Sequence, residues 1–220
     1  MKSIYEFLLK NKTAVSTQSY DYVDLGLPSG LLWANCNIGA KAPTDYGDYF
    51  MWGSTEPNTN DYCTWENCPF NTGNDDYNKN YFDSVKDSVC PNGILAPEYD
   101  AAAVILGNDW RLPTKDDINE LIANTEHEWI KNYNNSGING ILFKSNYNEN
   151  HSELGTELFI PAAGYRHANK FNDQNYCARL WCSSLYETIV DACVLCVHPN
   201  MCYLGHGRRF GGFNIRAVTK

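Results

Sequence analysis

The chain has 220 residues, enough for one domain with a substantial core. Hydrophobic residues make up 43% of it and aromatic residues 14%, which excludes a disordered chain because burial of this apolar surface offsets the entropy lost on ordering. The formal net charge is -9, from 17 Lys and Arg against 26 Asp and Glu, and an acidic surface repels phosphate, so no nucleic-acid partner is expected.

The first residues carry a pattern of their own. Ile4, Phe7 and Leu8 recur at helical spacing, which predicts a short amphipathic helix over residues 3–11. We expect residues 1–19 to be an appendage to a domain at 20–220. Glu6 interrupts the apolar patch and no small-residue cleavage site follows, so no signal peptide is expected. Nothing later approaches 18 consecutive apolar residues, so no membrane span is expected.

Two segments follow with contrasting patterns. Residues 21–37 predict a hairpin, because two apolar runs flank a Gly/Pro turn near Pro28. Residues 57–80 are rich in Asn, Asp, Tyr and Gly and show little periodicity, which predicts a long irregular loop.

The middle of the chain predicts two helices, and the rest predicts short strands. Thr114 is a candidate N-cap before apolar residues at helical spacing, which predicts a helix over 115–125. An apolar face predicts an earlier helix over 97–106. Apolar runs separated by Gly and Asn turns predict strands at 141–144, 158–161, 180–183, 192–197 and 213–218.

Nine cysteines are many for this length, but their number is odd and their spacing is not typical of a compact disulfide scaffold. Mostly free thiols are therefore expected. The one local bridge suggested is between Cys63 and Cys68.

Five stretches carry a resemblance to a known family. In chain order they are VDLGLPSG at 23–30 with WA at 33–34, YGDYF at 46–50 with WG at 52–53, WRLPT at 110–114, FIPAAGYR at 159–166, and GFNIRAV at 212–218. Together they resemble a family abundant in gut Bacteroidetes and their phages, related to the Fibrobacter major paralogous domain and to the formylglycine-generating-enzyme-like branch of C-type lectin folds.

The resemblance spans most of the chain and implies an α+β fold. The expected architecture is C-type-lectin-like, with short strands, about two helices and long irregular loops. Within the motifs, Arg111 and Arg216 are expected to tie loop carbonyls together, and the tryptophans are expected to fill the core.

In this family, sequences diverge between a Trp-Ser-Ser strand and the final Gly-Phe-x-x-Arg strand, which here corresponds to about 182–213. Where members belong to diversity-generating retroelements, a reverse transcriptase randomises template adenines and the altered copy replaces this segment. The usual AAC codons then never yield Lys, Glu, Gln, Met or Trp. The resemblance thus implies a ligand- or receptor-binding protein with a hypervariable surface, and no catalytic residue or cofactor is expected.

The candidate ligand-binding positions contain none of those five residue types, and we expect them to form one exposed run. They are Tyr186, Ile189, Val190, Cys193, Val194, Cys196, His198, Cys202, Tyr203, Gly205, His206, Gly207, Arg208, Phe210 and Gly211. The intervening scaffold positions are expected to be Ala192, Leu195, Val197 and Met201.

The expected partner is a protein or glycan on another surface. The expected location is a phage virion, or a cell surface reached through another component.

Several alternatives stay open. The sequence of the segment could be invariant, and the protein would then be a structural or assembly module of the same fold. Cys193, Cys196, His198 and Cys202 supply ligand types that zinc prefers, but Cys193 and Cys196 would face opposite sides of a strand, which disfavours a shared metal. The relationship to formylglycine-generating enzymes also implies a copper-dependent oxidase, with Cys196 and Cys202 as its candidates.

A tripeptide and three histidines resemble functional residues, but neither a metal site nor catalysis is expected at them. Residues 56–58 copy a Glu-Pro-Asn tripeptide that binds calcium in many animal lectins, but they lie far from the strand that would complete such a site, and a Pro turn is expected. His127, His151 and His167 stand among polar neighbours and are expected at the surface.

Overall fold

A computed structural model of the protein describes residues 21–58, 63–70, 79–107, 109–146 and 157–220. The helix predicted at 3–11, the appendage expected at 1–19 and His151 lie outside these residues. In the described ranges, no helix combines the length and the apolar content needed to cross a membrane.

The described residues contain three α-helices and many short antiparallel strands, so the α+β class is confirmed. The helices are α1 (Lys79–Val89), α2 (Ala101–Leu106) and α3 (Lys115–Asn124). Helix α1 is not predicted from the sequence. It begins at the end of the stretch expected to be an irregular loop, and it buries Phe82 and Val89, with Val85 half-buried beside them.

Each of the two predicted helices begins at a residue whose side chain caps its N-terminus. In α3 the Thr114 hydroxyl accepts a hydrogen bond from the backbone N–H of Asp117 (3.2 Å), and the Asp117 carboxylate accepts one from the backbone N–H of Thr114 (2.7 Å). Helix α2 is shorter than predicted, because the carboxylate of Asp100 caps the backbone N–H groups of Ala102 and Ala103.

The described residues form eleven strands. They are β1 (Tyr22–Asp24), β2 (Leu32–Ala34), β3 (Thr125–Ile130), β4 (Gly140–Ser145), β5 (Glu157–Pro161), β6 (Tyr165–His167), β7 (Lys170–Asn172), β8 (Ala178–Leu185), β9 (Asp191–His198), β10 (Met201–Arg208) and β11 (Val218–Thr219). Three antiparallel sheets have the orders β1-β2-β11, β3-β4-β5 and β10-β9-β8, and β6 pairs with β7.

The predicted hairpin is confirmed. Strands β1 and β2 pair antiparallel, with Val23 opposite Trp33, and the backbone N–H of Gly30 donates to the carbonyl of Leu27 (2.8 Å) to close the turn. Gly30 has a φ of +70°, a conformation that glycine adopts without steric cost. Strand β11 pairs with the other edge of β2, so the two ends of the described chain meet.

The strand predicted at 213–218 is only partly formed. Its first residues make isolated bridges to different partners, Phe213 with Phe50 and Asn214 with Leu180, so this segment links separate parts of the fold. Regular pairing begins only at Val218, where β11 joins β2.

Two apolar clusters make up most of the interior. The first, core A, includes Phe50, Trp52, Trp181 and Phe213 among its large buried side chains. The second, core B, includes Trp33, Ile118, Phe143 and Leu180. Strand β9 separates them, because its successive side chains point to opposite faces. The members it gives to core A are Ala192, Val194 and Cys196, and those it gives to core B are Cys193, Leu195 and Val197.

The expected roles of the motif residues are confirmed in part, because Trp110 is only half-buried beside core A and Arg111 bonds to its own neighbour in sequence. Trp33, Trp52 and Trp181 are fully buried, and the indole N–H of Trp181 donates to the carbonyl of Phe50 (2.7 Å). Arg111 donates through Nη1 to the carbonyl of Leu112 (3.0 Å). The Trp181 contact joins β8 to the segment at Phe50 across the core, whereas the Arg111 contact is local.

Arg216 is buried completely beneath the loops it joins. Its Nε donates to the side-chain oxygen of Asn37 (3.0 Å) and its Nη1 to the carbonyl of Ala34 (3.1 Å). Desolvation by burial lowers the pKa of Arg216 to about 10. The guanidinium therefore holds the N-terminal hairpin region against the last strand.

Candidate ligand-binding surface

Strand β10 carries the most accessible part of the candidate segment. It lies at the edge of the β10-β9-β8 sheet and pairs with β9 along its whole length, from Met201 opposite His198 to Arg208 opposite Asp191. An edge strand has a neighbouring strand on one side only. Exposed side chains occur along β10, whereas no residue of β9 is exposed.

The structure divides the fifteen candidate positions into three groups. Three are exposed, namely Tyr203, His206 and Arg208. Six are half-buried, namely Tyr186, Ile189, His198, Cys202, Gly205 and Phe210. Six are buried, namely Val190, Cys193, Val194, Cys196, Gly207 and Gly211. We call the nine exposed and half-buried residues the recognition surface.

The exposure expected for the whole run is therefore wrong at six positions. Cys193, Val194 and Cys196 are buried because β9 packs on a core cluster through each face. Gly207 and Gly211 lie against the Phe213 ring, and a Cβ added at either would come within 2.5 or 2.8 Å of it. These glycines are thus required by packing.

The expected scaffold positions are confirmed in part. Ala192, Leu195 and Val197 are fully buried in the two core clusters. Met201 is 54% exposed, in contrast to the expectation, because it begins the edge strand immediately after the β9–β10 turn.

Asp191 organises the β9–β10 pair at one end. Its carboxylate accepts a hydrogen bond from the Thr188 hydroxyl (2.9 Å) and lies 3.6 Å from His206 Nδ1 and 3.5 Å from an Arg208 nitrogen. The ring of Tyr186 stacks on that of His206, with centroids 4.3 Å apart. Sequence reasoning misses Asp191, although the register that places it opposite Arg208 follows from the short turn between the strands.

A cavity of about 280 Å³, here the turn cavity, lies between β3 and the β9–β10 turn. It is lined by His127, Glu128, Trp129, Ile141, His198, Pro199, Asn200, Met201 and Cys202. Two of these, His198 and Cys202, belong to the recognition surface, and His127 is exposed as expected. Such concave sites with a few polar groups suit ligand binding.

A second cavity of about 130 Å³, here the arginine pocket, lies at the other end of β10. It is lined by Tyr165, Arg166, His167, Arg179, Arg208, Phe210, Gly211 and Phe213. The guanidinium carbon of Arg179 lies 4.4 Å from the centroid of the Tyr165 ring. Sequence reasoning misses both further arginines, because Arg166 appears there only within a family motif and Arg179 belongs to no motif.

The four residues of the zinc alternative do not come together as a ligand set. Cys193 belongs to core B and Cys196 to core A, on opposite faces of β9 as the strand pattern predicts. Among the described residues, no group of three His, Cys, Asp or Glu side chains is placed to hold a metal ion. Burial raises the pKa of Cys193 and Cys196, and it raises that of Cys202 to about 12. The thiolate that ligates metals is thus disfavoured at all three.

Residues 56–58 form part of a turn. The side-chain oxygen of Asn58 accepts a hydrogen bond from the backbone N–H of Met51 (2.9 Å), and the backbone N–H of Asn58 donates to the Tyr49 carbonyl (2.8 Å). Glu56 is exposed. The Asn58 oxygen that a calcium site would need is therefore already engaged in the turn.

Comparison of the chain with models of known protein families, with curated proteins and with solved structures finds no match in any of the three. The residues of the recognition surface and the two cavities beside it are therefore the features from which a function is inferred.

Iodoacetamide at pH 8 should alkylate the native protein slowly and the urea-unfolded protein at all nine cysteines. None of the nine cysteines, all of which lie among the described residues, forms a disulfide; eight are buried, and Cys202, the half-buried one, has a pKa of about 12. At pH 8 such a thiol is ionised in roughly one molecule in ten thousand, and the thiolate is the reactive form. Intact-protein mass spectrometry over time measures the difference.

Alkylation of Cys202 should accelerate as the pH rises toward 12, provided the fold persists. Rapid modification of Cys196 or Cys202 at pH 8, with the circular dichroism spectrum unchanged, would contradict this account and restore the reactive-thiol alternative.

Proposed function

We propose that this protein binds a ligand, a protein or a glycan on another surface, through the recognition surface on a C-type-lectin-like fold. The observation that carries the proposal is the contrast between neighbouring strands. Tyr203, His206 and Arg208 on β10 are exposed, whereas β9 beneath them is buried on both faces. Side chains on such a strand can meet a partner while the backbone that presents them stays fixed.

The residue types of the recognition surface support binding. Tyrosine and arginine are the residues most often found at interaction hot spots, and Tyr203, Tyr186 and Arg208 provide them here. The turn cavity and the arginine pocket lie at opposite ends of β10, so a ligand can engage concave sites as well as the strand between them.

Diversification by a retroelement is the second part of the proposal. The recognition surface holds nine of the candidate positions, and substitutions at its three exposed ones, Tyr203, His206 and Arg208, change stability little, within about 0.5 kcal/mol each. Changes at the six buried positions would leave cavities, unpaired polar groups or clashes in the core. Folding would then remove most variants at buried sites and retain those altered on the recognition surface.

A fixed structural or assembly module is the second candidate, and a specific observation favours it. Six of the fifteen positions are buried, and two of these are glycines that fit only because they lack a side chain beside Phe213. A segment so involved in packing tolerates less variation than a free loop.

The genomic neighbourhood separates these two candidates. If the segment is diversified, a reverse transcriptase gene and a near-copy of the bases that encode residues 182–213, differing at template adenines, should lie near the coding sequence. Sequencing of the flanking DNA tests this. Absence of both elements would overturn diversification and favour the fixed module.

Binding is tested by two matched double variants of the full chain, screened on a glycan array and on bacterial envelope fractions. Tyr203→Ser/Arg208→Gln should weaken binding to any ligand of the wild type at least about tenfold, because it removes two anchors. The control, Tyr22→Ser/Lys86→Gln, should leave the affinity unchanged. Tyr22 matches Tyr203 in exposure, both at 43%, and Lys86 is likewise a partly exposed cation paired with a carboxylate.

Thermal melts of both variants should match the wild type. Equal loss of binding in the control, or full binding by the first variant, would show that the ligand is recognised elsewhere on the protein.

A further inference from the structure

The arginine pocket gathers positive charge on an acidic protein. Three of the 17 Lys and Arg residues of the chain, Arg166, Arg179 and Arg208, line this one small cavity. None of the residues that line it is acidic. Like charges held close together in a partly desolvated site repel one another, so such a site favours a bound anion.

The two inner arginines are only partly satisfied by the protein. Arg166 is buried and donates through Nη1 to the carbonyl of Asn58, a neutral acceptor. The Nε atoms of Arg166 and Arg179 are buried, and neither finds a hydrogen-bond acceptor among the described residues. Neither guanidinium forms an ion pair with a described carboxylate.

The third arginine, Arg208, is paired with an acid outside the pocket. The Arg208 guanidinium lies 3.5 Å from the Asp191 carboxylate, which is also approached by His206 and accepts a hydrogen bond from Thr188. Asp191 does not line the pocket, so the residues that do line it carry an excess of positive charge.

Aromatic rings form the remaining walls. Arg179 lies over the Tyr165 ring and 5.5 Å from the centroid of Phe213. Phe210 lines the pocket beside His167, with ring centroids 5.5 Å apart. Flat apolar walls beside guanidinium groups suit a planar anion joined to a carbon skeleton, because the rings cover the skeleton while the arginines bind the charge.

We propose that the arginine pocket binds a carboxylate group carried on a small ring or flat carbon skeleton. This inference deepens the proposed binding function and rests on it, since Arg208 and Phe210 belong to the recognition surface. A volume of about 130 Å³ admits a carboxylate and a few carbon atoms. The pocket is built from β6, β8 and the end of β10, with no helix N-terminus among its lining residues, so it lacks the backbone donors typical of phosphate sites.

Two sources of this carboxylate are distinguished by titration calorimetry on the full chain. The probes are glucuronate, for acidic sugars, and N-acetylphenylalaninate, for a peptide C-terminus. Their uncharged methyl esters and inorganic phosphate are the comparison ligands. At least one carboxylate should bind at low salt and weaken as salt is added, and its ester and phosphate should each bind at least about tenfold more weakly.

Matched variants locate the site. Arg179→Gln and Arg208→Gln should each weaken carboxylate binding about tenfold or more, because each removes a charge-assisted contact. Lys86→Gln, which removes a cation outside the pocket, should bind like the wild type. Arg208 is exposed, so its variant is expected to fold and keeps the test decisive even if Arg179→Gln is unstable.

The inference is overturned if neither carboxylate binds at millimolar concentration, if ester or phosphate binds as tightly as the acid, or if Arg208→Gln retains full affinity. The variant Tyr203→Ser distinguishes a failure of carboxylate binding in the arginine pocket from a failure of ligand binding by the recognition surface. Loss of a screened ligand in Tyr203→Ser, with no carboxylate binding by the wild type, would remove the pocket chemistry and leave the recognition surface in place.

Discussion

Every side chain from Ala192 to Val197 on strand β9 is at most 5% exposed, with alternate residues packed in core A and core B. The strand is thus shared by both clusters, and a change on either face disturbs a core. Strand β8 on one side and β10 on the other take their register from it. Arg216 and the buried tryptophans then tie the surrounding loops to the same interior.

This constraint determines where recognition can occur. Because β9 is buried, a partner meets the sheet only through its edge strand β10 and the segments beside it. The turn cavity and the arginine pocket flank that strand, and Asp191 holds the side chains of His206 and Arg208 near its end. The same arrangement limits variation, since Gly207 and Gly211 have no room for a side chain next to Phe213.

Features set by neighbouring residues are predictable from the sequence. The capping box of Thr114 and Asp117 and the turn that ends at Gly30 both depend on contacts within a few positions. Helix α1 is missed although Phe82, Val85 and Val89 have helical spacing, because the polar residues before it suggest a continuing loop. Its apolar spacing is the signal that identifies it.

The candidate site is less predictable because distant segments build it. The unbroken apolar run at 192–197 is itself a sign of a strand buried on both faces. This signal places Cys193, Val194 and Cys196 in the interior and not on the expected surface. The arginine pocket carries no such local sign. It joins residues from 165–167, 179 and 208–213, which only the tertiary fold brings together.

The most direct test compares two displayed libraries of the full chain under protease challenge. One randomises the exposed positions Tyr203, His206 and Arg208, and the other the buried positions Cys193, Val194 and Cys196. Most members of the first should stay as protease-resistant as the wild type. Most of the second should be cleaved, because overpacking or an unpaired polar group in the core costs about 1–3 kcal/mol at each position. Equal survival of the libraries would contradict a recognition surface carried on a doubly buried strand.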